Sequence, residues 1–370
     1  MYGTIGILTG GGDAPGLNAV IRAVVKTATC EHGTRVIGIE DGFEGLLGAT
    51  KTRLLSPGDV RGLLPRGGTV LGTRNRGNFV ERTRDGRKLG VEEVYQEAIT
   101  NMQVLGIDAL VVLGGEGTLT IAAEFDKRGI PVCGVPKTID NDLASTELTF
   151  GFVTALDIAT EALDRLHTTA ESHDRVMILE VMGRHTGWIA LHSGIAGGAD
   201  IILIPEIPFS LDAVAQKIRD RDLAGSTFSI IVVAEGAIEI GQQQIYLTKG
   251  DSLHAPRLGG IGPHLTADLE RITGRETRSV VLGHLQRGGR PNAFDRMLAT
   301  NFGSSAVRAL ASGKKGVMVA LQAGDIVTVP LTDAIANIKT VPPDGQLVRT
   351  ARDTGISFCS PDEAIHHKRA

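Results

Sequence analysis

The chain has 370 residues, more than one ordinary globular domain and near the usual size of two. Hydrophobic residues are 42% and charged residues 22%, while Lys+Arg 38 against Asp+Glu 42 leaves a net charge of -4; no basic surplus exists to hold nucleic acid. No apolar run reaches the ~18–20 residues of a membrane helix, no signal peptide is visible, and Cys30, Cys133 and Cys359 fit neither a metal nor a disulfide framework, so a soluble cytoplasmic protein is expected.

The first strand is expected at Thr4–Thr9 and runs into Gly10-Gly11-Gly12-Asp13-Ala14-Pro15-Gly16-Leu17-Asn18. A helix follows, with Val20, Ile21, Val24, Val25 and Ala28 on one stripe and Arg22 and Lys26 off it. Further strands are expected at Arg35–Glu40, Ala109–Leu113, Pro131–Val135, Arg175–Met182, Ile201–Pro205, Ser229–Ala234, Ser279–Leu282 and Gly316–Leu321. Most are continuous Val/Ile/Leu runs, as in parallel strands buried on both faces. Helices are expected at Val91–Leu105, Leu119–Arg128, Thr154–Thr168, Leu211–Arg221, Pro263–Ile272 and Ala293–Leu310. Strand-then-helix alternation predicts an α/β fold with crossover connections. A boundary near residue 150, after the polar Lys137–Thr149 loop, leaves enough chain for two sheets, and residues 353–370 read as a docked tail or a frayed end.

Glycine is the compositional outlier at 48 copies, and its short runs fall where strands end. Three glycines between Thr9 and the first helix let backbone N–H groups face an anion, or form a simple glycine-rich turn. They match neither standard nucleotide fingerprint. Gly114-Gly115-Glu116-Gly117-Thr118 sits likewise between a strand and a helix; Glu116 could hold Mg²⁺ or merely favour the helix dipole. Pro136-Lys137-Thr138-Ile139-Asp140-Asn141-Asp142 places two carboxylates just after a buried strand. An Asx turn explains the carboxylates but not the lysine and threonine. Downstream, Arg175, Arg184, Arg278, His284 and Arg287 stand among small residues, each alone an ordinary solvated charge, together a second anion site for a phosphorylated substrate.

In order and approximate spacing, the three-glycine turn, Gly-Gly-Glu-Gly-Thr, Lys-Thr-Ile-Asp-Asn-Asp, Met182-Gly183-Arg184 and Gly283-His284-Leu285-Gln286-Arg287-Gly288-Gly289 resemble the 6-phosphofructokinase family from Gly6 to about Leu310. The resemblance implies two Rossmann-like, three-layer αβα domains with the active site in the cleft between them. Residues 1–150 plus about 290–345 would form the ATP/Mg²⁺ domain, 151–289 the fructose 6-phosphate domain and 346–370 a C-terminal tail. It implies phosphoryl transfer to the 1-hydroxyl of fructose 6-phosphate, with Asp140 as base, Asp142 as its partner, and Lys137 and Gly117 beside the transfer. Gly11, Gly12, Gly115, Glu116, Gly117 and Thr118 would bind the donor, with Glu116 as metal ligand. Thr138, Ile139, Asp140, Met182, Gly183, Arg184, Glu235, His284, Leu285, Gln286 and Arg287 would bind the sugar phosphate. Arg175 and Arg278 would reach into a neighbouring subunit's site in a homotetramer or dimer.

The family divides between ATP and pyrophosphate as donor. Glycine at 117 leaves room for a nucleotide's α-phosphate, where pyrophosphate users carry Asp; Lys137 is a residue that pyrophosphate users carry. The combination resembles the mixed subgroup in which ATP use accompanies the lysine, so ATP is the expected donor and pyrophosphate the alternative. Where ATP users place an arginine after Leu-Gly-x-x, Leu71-Gly72-Thr73 is followed by Arg74-Asn75-Arg76, with Asn75 at the gap-free position. Of the basic residues that bind the bacterial effector nucleotide, Arg22 and Lys26 match, but His167 replaces an Arg and Leu223–Thr227 lacks the lysines. Weak or absent activation by ADP is therefore expected in initial-rate assays; saturable activation would overturn that reading. Lipid and NAD kinases share a Gly-Gly-Asp/Glu-Gly-Thr string but lack Thr-Ile-Asp-Asn-Asp, and a non-catalytic sugar-phosphate-binding subunit would be expected to have lost a carboxylate.

Overall fold

Six consecutive buried residues, Thr4–Thr9, form β1 and send Ile5 and Ile7 to one apolar layer and Leu8 to another. Period-two alternation with both faces apolar is what a strand covered on both sides requires. The computed structural model describes residues 2–74, 79, 83, 84, 87–248, 257–361 and 363. The chain divides into two units, Met1–Thr154 with Arg287–Ile338, and Ala155–Gln286 with Lys339–Ala370.

In the first unit β1 pairs in parallel with β2 (Arg35–Ile39) and β6 (Ala109–Gly114), and β6 pairs with β7 (Val132–Pro136). The parallel strand β14 (Val317–Gln322) joins β7, and antiparallel β3 (Thr52–Leu55) and β15 (Asp325–Pro330) close the edges, giving the order β15-β14-β7-β6-β1-β2-β3. A short hairpin, β4 (Thr83–Arg84) with β5 (Arg87–Lys88), stands apart. Helices α1 (Leu17–His32) and α8 (Ala293–Ala311) cover one face, where Val20, Ile21 and Val24 meet Phe302 and Val307. On the other, α2 (Val91–Leu105), α3 (Glu116–Lys127) and α9 (Leu331–Ile335) join Phe43, Phe79, Tyr95 and Phe125 in an aromatic cluster with ring centroids 5.1–5.7 Å apart. Strand order turns back at β1, with β2 on one side and β6 on the other. That is a topological switch point, where loops diverge and leave a crevice.

In the second unit β8 (Val176–Val181), β9 (Ile201–Leu203), β10 (Ser229–Ala234) and β13 (Thr277–Val281) make a wholly parallel sheet of order β13-β8-β10-β9. Helices α6 (Leu211–Leu223) and α7 (Ile261–Thr273) pack Val214, Ile218, Leu265 and Leu269 on one face. Helix α5 (Trp188–Ala196) lies on β9 and β10, with Gly194 directly over Ile202. A small hairpin pairs β11 (Tyr246–Thr248) with β12 (Arg257–Leu258). Helix α4 (Phe152–His173) begins in the first unit and continues in the second.

The C-terminal stretch differs from expectation. Residues 339–345 belong with the second unit, and α10 (Gln346–Asp353) leads to a segment bonded along β9: Ser357 O accepts from Ile202 N at 3.0 Å and Asp200 O from Ser357 N at 3.1 Å. Phe358 is fully buried and Arg352 pairs with Glu363 at 2.8 Å, so the described part is a docked edge; residues 362 and 364–370 lie outside the described residues.

Asn18, buried on α1, holds the loop facing the first unit's glycine turn. Its Nδ2 donates to Arg66 O and Gly67 O at 3.0 and 3.1 Å, and its Oδ1 accepts from Val70 N at 2.9 Å. Replacing it with Leu removes these bonds from three partly buried main-chain groups, at up to about 1–3 kcal/mol each. Asn18→Leu is expected to lose about 2–4 kcal/mol of stability in denaturant titration; an unchanged midpoint would remove Asn18 from that role.

Candidate active site

Loops after β1, β6 and β7 come together at the carboxyl ends of three adjacent parallel strands. Gly10 N donates to Leu113 O at 2.9 Å and Lys137 N to Gly114 O at 3.0 Å, so each loop starts locked to its neighbour. The glycines are there to make room for Thr118. A Cβ on Gly10 or Gly114 would stand 2.6 or 2.3 Å from its side chain, and Gly11 adopts φ +77. They border a cavity of about 380 Å³ lined by Gly11, Gly12, Gly115, Glu116, Gly117, Thr118, Lys137, Thr138, Asp142 and Arg287 among others. Glu116 opens α3 with an exposed side chain, and a Cβ on Gly117 would meet nothing within 4 Å.

Lys137 is 3% exposed, and its Nζ donates to Gly12 O. Burial, then the nearby Arg287 charge, lowers its pKa to about 8. Burial, then the Asp142 carboxylate, pushes Asp140 up to about 6, against the pull of Arg287 and Lys137. A carboxylate poised near neutrality beside a charged lysine is a fitting proton acceptor. The turn is braced from below. Asn141, at φ +52, accepts from Thr149 N at 3.1 Å, Thr149 Oγ1 donates to Thr138 O at 2.6 Å, and Thr138 Oγ1 accepts from Asp140 N at 3.1 Å. The two-residue side-chain turn here is made by Thr138, an ST turn, while Asn141 braces the loop to residue 149. Ile139 is fully buried, with its side chain near Gly151, so only its main chain can meet a ligand.

Sequence reasoning missed one end of this cavity, formed by Asp41, Phe43, Glu44, Phe79 and Ile121. Asp41 and Gly42 both take positive φ, 59° and 71°, at the carboxyl end of β2, and an Asp-Gly pair after a predicted strand was the available signal. Lys51 at 2.9 Å holds the Asp41 carboxyl below its ordinary range, and Arg74 lies 3.8 Å from it. Of the two arginines weighed for the donor, Arg74 lines the cavity and its carbonyl accepts from Gly11 N at 3.2 Å; Asn75 and Arg76 lie outside the described residues.

The second unit carries the downstream residues in two groups. At the carboxyl end of its sheet, Met182 N donates to Gln286 Oε1 at 2.7 Å, Glu235 N to Val181 O at 2.8 Å, and Gly236 N to Gly183 O at 3.1 Å. These bonds bring Met182, Gly183, Arg184, Glu235 and the Gly283–Gln286 turn together; His284 and Leu285 are exposed on that turn. At the opposite end, Glu276 clamps Arg175 at 2.9 Å and Arg278 at 2.7 Å. Strand β8 separates the groups by about 17 Å of extended chain. Arg287 belongs to neither: it packs on the first unit's glycine loop.

A switch-point crevice lined by glycine loops, by Arg74, Lys137 and Arg287, and by carboxylates that include Glu116 and Asp142 defines an α/β protein with a built anion site. The family signature described as Phosphofructokinase matches residues 4–310. The chain is 59% identical over 354 residues, 96% of its length and 97% of the other's, to the ATP-dependent 6-phosphofructokinase of Chloroflexus aurantiacus. It is 51% identical, over 92% of its length and 96% of the other's, to the pyrophosphate–fructose 6-phosphate 1-phosphotransferase of Amycolatopsis methanolica. Phosphofructokinase from Pichia pastoris in the T-state superposes with a TM-score of 0.78 at 36% identity, covering 96% of this chain and 37% of that one. The chain belongs to the phosphofructokinase family. Among the described residues no helix is long and apolar enough to cross a membrane.

Proposed function

We propose that this chain is a 6-phosphofructokinase, transferring the γ-phosphoryl group of ATP to the 1-hydroxyl of fructose 6-phosphate in glycolysis, in the cytoplasm. The observation that carries ATP as donor is the open space at Gly117 in a cavity that continues past the glycine loops to Phe43 and Phe79. Pyrophosphate would need only the cationic end. The 59% identity to an ATP-dependent relative supports the same choice. The buried Lys137 keeps pyrophosphate as the second reading, together with the 51% identity to a pyrophosphate user.

In this reading Asp140 accepts the proton of the 1-hydroxyl as its oxygen bonds to phosphorus, and ADP leaves. Asp142 holds the hydroxyl in line, while Lys137 and the N–H groups of the glycine loops take up charge on the donor. Magnesium fits the donor set, because Mg²⁺ is commonly held by one or two carboxylates plus phosphates and the cavity carries Glu116 and Asp142. Glu116 would hold it, with Asp142 lining the same cavity, and bound Mg²⁺ would neutralise phosphate charge. Thr138, Met182, Gly183, Arg184, Glu235, His284, Leu285 and Gln286 would bind the sugar phosphate. Because Arg175 and Arg278 stand at the far end of their own sheet, we assign them to a neighbouring subunit's site in a homo-oligomer.

Fructose 1,6-bisphosphate formation, assayed with ATP and with pyrophosphate in parallel, tests the reading. Turnover is expected with ATP. Turnover with pyrophosphate alone would mean that Lys137 outranks the glycine, and turnover with neither would end the proposal.

A further inference from the structure

Glu206 sits in a tight turn just past β9, at the same end of the second unit's sheet as Met182 and Gly183. Pro205 takes the second turn position, which its fixed φ favours, and Ile207 N closes the turn on Ile204 O at 3.3 Å. The Glu206 carboxylate meets main-chain donors from two other segments. Gly187 N donates to both of its oxygens at 3.0 Å, and Val341 N donates to Oε1 at 2.8 Å. Trp188 Nε1 donates to Lys339 O at 2.7 Å, so the returning C-terminal segment is fastened twice to the start of α5. A Cβ on Gly187 would stand 2.3 Å from Ile204 Cβ and 3.0 Å from Glu206 Oε2, so the turn and the helix start are in close contact. Burial raises the Glu206 carboxyl above its ordinary range, against the pull of the Val341 and Gly187 N–H groups. A carboxylate taken out of water to meet neutral N–H groups costs more than an apolar side chain would, so packing alone does not account for it.

The loop that Glu206 holds is the one that carries Arg184. Its main chain is tied at Met182 N by Gln286 Oε1, at Gly183 O by Gly236 N, and at Arg184 O by Gln244 Nε2 at 3.0 Å. Glu206 supplies the anchor on the other side of Arg184, whose own side chain is exposed. We propose that Glu206 is a positioning residue for the acceptor: by holding Gly187 against the segment at Val341, it fixes where Arg184 presents its guanidinium to the sugar phosphate. The inference rests on the phosphofructokinase reading for the role of Arg184, while the clamp itself stands on the hydrogen bonds alone.

A double-mutant cycle read by binding tests it. Glu206→Ala, Glu206→Gln, Arg184→Ala and the Ala double variant would be titrated calorimetrically with fructose 6-phosphate, and with the Mg²⁺ complex of the β,γ-imido analogue of ATP. Glu206→Ala is expected to weaken fructose 6-phosphate by about 10-fold, the scale of one hydrogen bond to a charged group, with donor affinity held within twofold. Glu206→Gln can keep the oxygen shared by Gly187 and Val341 and should stay within threefold. In the double variant the loss should equal that of Arg184→Ala alone, because Glu206 acts through Arg184. A purely structural role would lower the melting temperature and the fraction of active protein, and leave the affinity of the folded remainder unchanged. That result overturns the proposal, as do losses that multiply in the double variant, a Gln loss equal to the Ala loss, or normal binding by Arg184→Ala. If Glu206→Ala does not fold, Glu206→Asp, one carbon too short to hold both N–H groups, is judged by the same thresholds. Turnover of the parent is scored apart. Fructose 6-phosphate that binds, weakens with Glu206→Ala and is phosphorylated by neither donor would end only the functional reading. An active parent whose Glu206→Ala variant binds it equally well would end only the proposal, and a parent that does not bind it would end both.

Discussion

Asp140→Ser is expected to lower turnover by about 10²–10⁴-fold, the usual contribution of a positioned proton acceptor, while fructose 6-phosphate still binds. The substitution removes the carboxylate but leaves Thr138, Asn141 and Thr149 to hold the turn. The pH profile gives the same residue a second test. Burial and Asp142 raise Asp140 to about 6, and only its ionised form accepts a proton, so kcat/KM should rise as pH increases through that value. Lys137, lowered to about 8, loses its charge as pH rises further, and the rate should fall again through weaker donor binding. Because the carboxylates interact, the acidic limb belongs to the pair. In Asp140→Ser that limb should vanish or shift while the alkaline limb stays. A full-speed variant with the parent profile would take proton transfer away from Asp140.

The second large effect is expected at Gly117. An Asp there costs the fold little: a Cβ meets nothing within 4 Å, and a carboxylate in the first turn of α3 is favoured by the helix dipole. It does cost the donor. Gly117→Asp should reduce kcat/KM for ATP by about 10²-fold or more, the scale of a like charge set against a phosphate in a confined site, while the melting temperature and fructose 6-phosphate affinity hold. Pyrophosphate, with no nucleoside beyond its two phosphates, should suffer far less. Equal losses with both donors would place the residue's effect elsewhere than at the nucleotide.

Much of this was legible in the amino-acid order, for identifiable reasons. Strands such as Thr4–Thr9 and Ser229–Ala234 were found to the residue because a strand buried on both faces is an uninterrupted apolar run. Helix Val91–Leu105 showed its period and ended at Gly106, which takes φ +67. Helix α5 was missed because Trp-Ile-Ala-Leu-His-Ser-Gly-Ile-Ala is mostly apolar or small all round and has no stripe to read. β15 was missed because it depends on a tight turn, Ala323 at φ 50 and Gly324 at φ 87, that returns the chain beside β14. The glycine loops and the carboxylate pair were visible because their chemistry is local. Arg287's position was not: its neighbours are Gly12 and Asp13, 274 and more residues away in sequence. The same holds for Asp41, whose place in the cavity depends on strand order.

The first unit's sheet has a consequence for how the protein is made. Strand β14 pairs beside β7, yet the ribosome delivers it only after residues 155–286, the larger part of the second unit. At typical rates of about 5–20 residues per second, β7 waits roughly 10–40 s with one row of backbone groups unpaired. Nascent chains in that interval carry an open parallel edge flanked by Val132, Cys133 and Val135, an invitation to pairing with a neighbouring chain on the same message. A messenger truncated before codon 317 should therefore yield not a shorter working enzyme but an aggregating one.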